Sequence, residues 1–385
     1  MNAPLVARVR QRLATADGDL GAAVRAETVG IVDDAVLTGL EREIGYELTG
    51  AGPLEPLLAL PGVSDVLVNA PDSVWIDRGS GLERVPVRFA DDAAVRRLAQ
   101  RLAAGAGRRL DDAQPFVDAG LADGTRLHAV LPPLCASTTV SLRVLARSRP
   151  TLADLLARGA CPPAVGDLLT AVVAARVPFV VSGGTGVGKT TLLGALLAGV
   201  PAAERIVVIE DAAELVLDHP HAVRLVSRAA NIEGAGAVGL RELVRQSLRM
   251  RPDRLVVGEF RGAEMVELLV ALNTGHDGGA ATLHANSAAD VPARLAALGG
   301  LAGLPSAAVT SLAASALRVV VHLRRLRDGS RVVDEVSLLD RAGDSLGAHP
   351  VWQRAAGTGA AAGALFDELA AREVAPPALL HGVAP

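Results

Sequence analysis

Apolar positions along the chain change their spacing near residues 50 and 150 and keep no fixed spacing after about residue 343. Within residues 1–50, Val32, Val36, Leu40 and Ile44 recur every four positions, with Asp33, Asp34, Glu41, Arg42 and Glu43 between them. That period predicts a small helical region. From Gly52 the texture becomes short alternating or β-branched runs at 63–69, 74–76 and 82–87, broken by Asn69-Ala-Pro71-Asp72 and Arg78-Gly79-Ser80-Gly81. These runs predict strands separated by turns. Asp91 and Asp92 open an amphipathic helix that turns Val95, Leu98 and Leu102 inward, and further strands follow at 126–131 and 139–145. Residues 51–147 therefore predict an α+β domain.

Arg147-Ser-Arg-Pro150 interrupts both periodicities and marks a boundary. Beyond it, over 148–342, strands at 179–181, 206–209, 255–257 and 280–284 alternate with helices from Thr190, over 240–250 and over 263–272. That alternation predicts an α/β domain with a parallel sheet covered on both faces. Runs at 317–323 and 331–338, joined across Asp328-Gly329-Ser330, read as a terminal hairpin. In 343–385 Ala, Gly and Pro dominate, so the expectation is a loosely ordered tail with one short helix near 365–372. No repeat of solenoid period is present.

Composition narrows this picture without redirecting it. At 385 residues the chain is long enough for more than one core. With five Phe, two Trp and one Tyr, those cores must be built from Ala, Val and Leu. A net charge of −4 gives no global attraction to nucleic acid or an anionic membrane. Cys135 and Cys161 lie far apart and outside any metal-ligand spacing, which reads as unpaired core thiols in a reducing compartment. The charged N-terminus lacks the apolar core of a secretory signal, and the most hydrophobic segments are too short or too interrupted to span a bilayer. A cytoplasmic location is expected, with membrane contact only through partners.

The strongest chemical signal is the stretch 177–191, VPFVVSGGTGVGKTT. A buried-strand pattern runs into G-x-x-x-x-G-K-[ST], with Gly183, Gly188, Lys189 and Thr190 at the fixed positions. Gly183, Gly184, Thr185, Gly186, Val187 and Gly188 would turn their N–H groups toward phosphates. The Lys189 ammonium would reach the outer phosphates, the Thr190 hydroxyl would hold Mg2+, and the helix carrying Thr191 would add its dipole. A merely structural glycine turn is the competing reading, and the order strand, loop, helix weighs against it.

Three further stretches end apolar strands with polar groups, the position where an open α/β sheet places its ligand. One carries Glu210, Asp211 and Glu214; the second, Gly258-Glu259, delivers a carboxylate beside the lysine, suited to polarising an attacking water. The third holds His276 and His284, with Thr282 on the same strand face as His284. Both glutamates follow runs too apolar to be exposed, which favours function over solvated strand ends. The histidines lack a nearby third ligand for zinc, and spacing alone leaves functional and merely hydrogen-bonded roles open. Arg241, Arg245 and Arg249, four apart on a helix, read as a solvated face before a subunit contact.

With these stretches placed, the sequence resembles the secretion ATPases of the type II/type IV superfamily, specifically the Tad (tight adherence) pilus assembly or conjugal-transfer-associated branch. The resemblance runs from about residue 52 to 338 through GPLEPLL, VSDVLVN, the phosphate loop, IEDAAEL, VRQSLRMRPDRLVVGEFRGAE and ALNTGHDGGAATLHAN. It implies a RecA-like P-loop NTPase core with a parallel central sheet, preceded by a smaller α+β domain and a helical N-terminal region. It further implies a hexamer that binds ATP and Mg2+ and powers pilus assembly or secretion through an inner-membrane platform protein, from the cytoplasmic face of the membrane.

By the same resemblance Lys189 and Thr190 match the Walker A lysine and Mg2+ ligand, and Glu259 the Walker B glutamate. Glu210 and Glu214 match the aspartate box, with Glu210 and Glu259 near Mg2+ directly or through water. His276 and His284 match the histidine box. Asp123-Gly124-Thr-Arg126 and Ser141-Leu-Arg143 match segments whose arginines, here Arg126 and Arg143, reach the nucleotide across the domain interface. Phe260 replaces a smaller aliphatic residue, and Cys135-Ala-Ser-Thr replaces a glycine-bearing loop. The four-cysteine zinc module of type II relatives is absent, which points to the Tad or conjugation branch. A RecA-like DNA-handling motor of conjugal transfer is the alternative. Acidic charge and few aromatics weigh against it, and Glu259 weighs against a scaffold that binds nucleotide without hydrolysing it.

Overall fold

The computed structural model describes residues 3–15, 19–28, 33–48, 50–79, 81–144, 150–228, 235–343 and 345–381. Most of the expected linker, including Arg147, and Val32 of the expected helical stripe lie outside these residues. The chain divides into two compact units, Met1–Leu145 and Ala146–Pro385.

In the first unit, helices α1 (Ala3–Thr15), α2 (Leu20–Glu27) and α3 (Asp34–Leu48) share a small core of Leu5, Val9, Ala23, Val24 and Ile44. Val36, expected inward, is instead 53% exposed. The inward face of α3 runs through Leu40, Ile44 and Leu48, a spacing of four that leaves Val36 outside the short contact. After the single turn α4 (Glu55–Leu58) come β1 (Asp65–Ala70), β2 (Ser73–Asp77), β3 (Leu82–Val85), α5 (Asp92–Gly105), β4 (Phe116–Gly120), β5 (Arg126–Val130) and β6 (Thr139–Arg143). The strands form one sheet in the order β3-β2-β1-β6-β5-β4, antiparallel at every pairing. Asp91 caps α5 by accepting from the Ala94 amide at 2.7 Å. Val95, Leu98 and Leu102 pack with Val66, Val68, Leu127 and Leu142 of the sheet. β4 escaped the sequence reading because this edge strand, FVDAG, exposes Phe116 and mixes Asp and Gly into its run.

The second unit starts with α6 (Leu152–Ala157), held by a reciprocal cap between Thr151 and Asp154, and α7 (Pro163–Ala174). There follow β7 (Phe179–Gly183), α8 (Lys189–Leu197), β8 (Ile206–Glu210), β9 (Ala222–Val226), α9 (Leu240–Ser247), β10 (Arg254–Val257), α10 (Glu264–Leu272), β11 (Ala280–Leu283), α11 (Val291–Leu301), α12 (Ser306–Ala316), β12 (Val319–Arg325) and β13 (Arg331–Ala342). After β13 come β14 (Ser345–Gln353), β15 (Gly357–Thr358) and α13 (Ala362–Ala371). The nine strands order as β15-β14-β13-β12-β7-β11-β10-β8-β9. Pairings from β12 through β9 are parallel, and β12 to β15 are antiparallel. Apolar clusters cover both faces: α7, α8 and α13 pack on one, and α9 to α12 on the other. The central strands are buried at every position, as strands covered on both faces must be. Cys161 lies in this core, where burial pushes its thiol up to about 11.

The expected loose tail is overturned, while the short helix expected within it is present as α13. Residues 345–358 add two strands to the sheet, and α13 packs Leu365 and Leu369 against the α8 face. The sequence hid this because Ser345–Gln353 alternates weakly and contains Pro350, a residue unable to donate to the ladder. The pairing shifts beside the proline: Val336 faces Trp352 and Ser337 faces Pro350, which leaves Val351 of β14 as the extra residue of a bulge. Leu365→Ala should therefore cost the second unit about 2–5 kcal/mol, read as an earlier midpoint in urea unfolding. An unmoved midpoint would show that this helix is not part of the core.

Candidate functional site

Glycine at 183 is dictated by close packing. A Cβ there would lie 2.5 Å from the Leu323 carbonyl oxygen, and its φ of 147° is one that other residues rarely take. The loop continues with φ of 71° at Gly186 and 94° at Gly188 before α8 begins at Lys189. Two orphan-donor systems thereby converge at the carboxyl end of β7, the loop amides and the first turn of α8.

Lys189 is only 7% exposed. Its ammonium donates to the carbonyls of Gly183 at 3.1 Å and Gly184 at 2.8 Å, and lies 3.4 Å from both ring nitrogens of His284. Burial pulls its pKa down, while the charges of Glu259 and Glu214 hold it up. His284, just past β11, is held below the ordinary histidine range by burial and by the neighbouring ammonium, so its ring is neutral. Its Nε2 is 2.7 Å from Glu259 Oε1. The neutral ring thus donates from Nε2 to the carboxylate and keeps Nδ1 as its acceptor, with the ammonium equally near both nitrogens.

Glu259 follows β10, and its second carboxylate oxygen accepts from Arg261 Nε. Arg261 lies 3.7 Å from Asp211 in turn. Glu264 fixes the turn between them, accepting from the Arg261 amide at 2.5 Å and the Gly262 amide at 2.7 Å. Phe260, larger than the expected aliphatic, points to the other side and is buried among the α10 and α11 residues. Arg261 stood within a motif whose significance was legible, but its pairing was not. The alternation Glu259-Phe260-Arg261, which puts two charges on one side of an extended segment, was the available signal.

Glu210, at the end of β8, is 3% exposed. One oxygen accepts from the amides of Glu214 at 3.0 Å and Leu215 at 2.7 Å; the other faces Arg224 Nε at 3.2 Å without a satisfied hydrogen bond. Burial pushes its carboxyl above the ordinary range, against the pull of those two amides and of Arg224. Its stem explains Gly258, since a Cβ at 258 would lie 2.8 Å from Glu210 Cγ. Thr282 donates from its hydroxyl to the Gly258 carbonyl at 2.6 Å, which ties β11 to the same corner. Thr190, Thr191, Glu214 and Asp218 line an adjoining groove with Pro150 and Thr151.

His276 is not in this cluster. Its Nδ1 lies 3.2 Å from the Ala271 carbonyl and closes the end of α10. Arg241 and Arg245 on α9 and Arg249 in the turn after it are all exposed, as a solvated face requires, and Arg241 and Arg245 also grip Glu267 of α10 at 2.6 and 2.8 Å. In the first unit Arg126 and Arg143 are directly opposite one another on β5 and β6. Arg143 donates to Asp65 at 2.9 Å, and both arginines line a polar hollow with Asp118, His128 and Ser141.

The donor set fits a nucleotide phosphate with a divalent cation. It offers a glycine turn with positive φ, a buried ammonium whose partners are two carbonyls, the Thr190 hydroxyl at the helix start, and a buried glutamate with an unsatisfied oxygen. Among the described residues no group of three or more His, Cys, Asp or Glu side chains could by itself hold a metal ion. A cation here would depend on the ligand for most of its coordination.

The sequence profile of the type II/IV secretion system proteins matches residues 47–359. A Mycobacterium tuberculosis protein, named as a candidate conjugal transfer protein, is 56% identical over 347 residues, covering 88% of this chain and 98% of its own. The type IV secretion system protein VirB11 of Brucella suis is 33% identical over 340 residues, covering 80% of this chain and 93% of its own. The solved structure of the Legionella pneumophila ATPase DotB superposes with a TM-score of 0.52 at 19% identity, covering 78% of this chain and 80% of that one. By a match that spans most of its length, this chain belongs to the type II/IV secretion system protein family.

Proposed function

We propose that this member of the secretion family is an ATPase motor, with a RecA-like P-loop core in its second unit, that powers pilus assembly or protein secretion. The observation that carries the reading is the contact chain from Lys189 through His284 to Glu259 at the root of the glycine turn. The amides of residues 183–188 and the dipole of α8 bind the phosphates. Lys189 leaves the carbonyls of Gly183 and Gly184 for the outer phosphates. Glu259, held on one side by His284 and on the other by Arg261, keeps lone pairs free to orient the attacking water. Mg2+, held by the Thr190 hydroxyl with Glu210 and Glu259 acting directly or through water, would neutralise developing phosphate charge.

Arg126 and Arg143 are the proposed charge-neutralising pair, a role their opposed positions on neighbouring strands support. His276 is assigned a shaping role at the end of α10. The protein is proposed to work as a hexamer at the cytoplasmic face of the inner membrane through a platform protein. No helix among the described residues is long and apolar enough to cross a membrane. The alternative, a DNA-handling motor of conjugal transfer, draws on the name of the mycobacterial relative. Phosphate release stimulated by single-stranded DNA would favour it, whereas the motor reading expects no stimulation.

Lys189→Ala should abolish ATP turnover and weaken nucleotide binding. Glu259→Gln should keep binding, measured with a fluorescent ATP analogue, and slow phosphate release about a hundredfold or more. Rapid hydrolysis by purified Glu259→Gln would remove the water-orienting role. Arg126→Ala and Arg143→Ala should each lower kcat about tenfold or more without unfolding the first unit; unchanged rates in both would exclude the pair from the site. Sedimentation with a non-hydrolysable ATP analogue should give the mass of six chains, and a monomer under those conditions would contradict the assembly.

A further inference from the structure

The hairpin of β12 and β13 runs past the phosphate loop, and the hydrolytic reading leaves one of its arginines unused. Gly183 pairs with Leu323 of β12, and Leu323 pairs with Val333 of β13, so these three residues form one row across the sheet. Arg331 lies two residues further out on β13, opposite Arg325 and beyond the level at which β7 gives way to the loop. Alternation along a strand puts it on the same side as Val333. Val333 is buried in the cluster that also holds Val187 of the loop, so this is the side of β13 on which the loop sits. The contact itself agrees. A Cβ at Gly188 would lie 3.6 Å from Arg331 Cδ, an ordinary van der Waals distance.

Gly188 is the residue at which the loop passes into α8, with φ of 94°. Its amide and those of the first helical turn are donors that an anion would meet there. The stem of Arg331 therefore lies against the corner where those amides converge, and its guanidinium, carried beyond Cδ, is within reach of a phosphate seated in it. The turn of the hairpin is closed from within. The Leu326 amide donates to the Ser330 carbonyl at 2.8 Å and the Gly329 amide to the Leu326 carbonyl at 3.0 Å. Asp328 accepts from the Ser330 amide at 2.9 Å and from its hydroxyl at 2.5 Å, so the acid of the turn is occupied. Arg324, on the neighbouring strand, pairs with Asp334 at 2.8 Å. Among the described residues Arg331 has no hydrogen bond and no ion pair, and it is exposed.

We propose that Arg331 is a nucleotide-binding residue: reaching in from the hairpin of β12 and β13, its guanidinium pairs with oxygens of the phosphate chain at the helix end of the loop. This role rests on the reading of the loop as the ATP site. The phosphates nearest the helix end are common to ATP and ADP, so the contact holds substrate, transition state and product alike. It therefore serves binding and leaves the chemical step to other groups.

Arg331→Gln keeps most of the stem and removes the charge. It should raise the dissociation constants of ATP and of a fluorescent ADP analogue about tenfold. KM for ATP should rise by the same factor while kcat stays within about twofold, the signature of uniform binding. Inorganic tripolyphosphate, competing with the analogue, should lose affinity to the same degree. Arg331→Lys should recover part of the loss, since it restores the charge without the fork. Arg327→Gln, an exposed neighbour on the same hairpin, should change none of these constants. Unchanged ADP affinity in Arg331→Gln, with ATP hydrolysis intact in the wild type, would overturn the proposal alone. Weakened ADP binding beside unchanged tripolyphosphate binding would place the contact on the nucleoside and overturn the phosphate assignment, and an equal loss in Arg327→Gln would reduce the effect to diffuse charge. A wild-type protein whose ADP binding depends on Arg331 but which hydrolyses no ATP would support the contact and overturn the motor reading.

Discussion

A charged ammonium kept almost out of water is the constraint around which the second unit is arranged. An ion of this size removed from solvent costs several kcal/mol unless other groups replace its hydration. Here two loop carbonyls and the neighbouring carboxylates do so, with Glu259 and Glu214 resisting the downward pull of burial on Lys189. The compensation propagates. Glu259 needs partners of its own and takes His284 and Arg261, and Arg261 lies near Asp211. The ends of four parallel strands, β7, β8, β10 and β11, are thus joined by alternating charges. In such a net, a ligand that draws the ammonium away from its carbonyls changes the field on every other member.

Close packing supplies the second half of the design and accounts for residues that look chemical but are not. Gly258 is small because Glu210 lies against it, and Gly183 because β12 presses its backbone there. Gly278, in the loop that carries His276, faces Arg254, whose guanidinium is 1% exposed and is held by Glu204 at 2.6 Å and the Val173 carbonyl at 2.9 Å. A side chain at 278 would start 2.7 Å from that guanidinium. The histidine motif therefore serves two needs at once. His284 enters the charge net, while Gly278 and His276 shape the path of the loop that reaches it.

What could be read from the sequence follows from the range of the interactions involved. The strand, glycine turn and helix around Lys189 are contiguous, so their order was visible, as were the apolar strands buried on both faces. The cap of α5 by Asp91 was local as well. The edge strands β4 and β9 and the added strands β14 and β15 depend on hydrogen bonds from a neighbour, and their own residues carry little pattern. The same limit applied to the site. His284 meets Glu259 across 25 positions, and its neutral, oriented state comes from burial and from Lys189, so spacing left its role even with an ordinary hydrogen-bonded histidine. The arginine stripe of α9 was legible as a solvated face, but its acid was not, because Glu267 lies on the next helix.

The role proposed for Arg126 and Arg143 can be weighed by charge. Like charges directly opposite on neighbouring strands destabilise a sheet, yet Arg126 and Arg143 occupy such positions. Asp65 offsets one of them through a 2.9 Å bond to Arg143. A triphosphate brings several negative charges, whereas the phosphate loop offers one ammonium and a helix terminus worth about half a charge. Arg261 cannot serve freely, since Glu259 and Asp211 already claim it. Under the proposed role the remaining charge would be met by guanidinium groups, which meet phosphate oxygens with two parallel donors and do not lose their charge at any working pH.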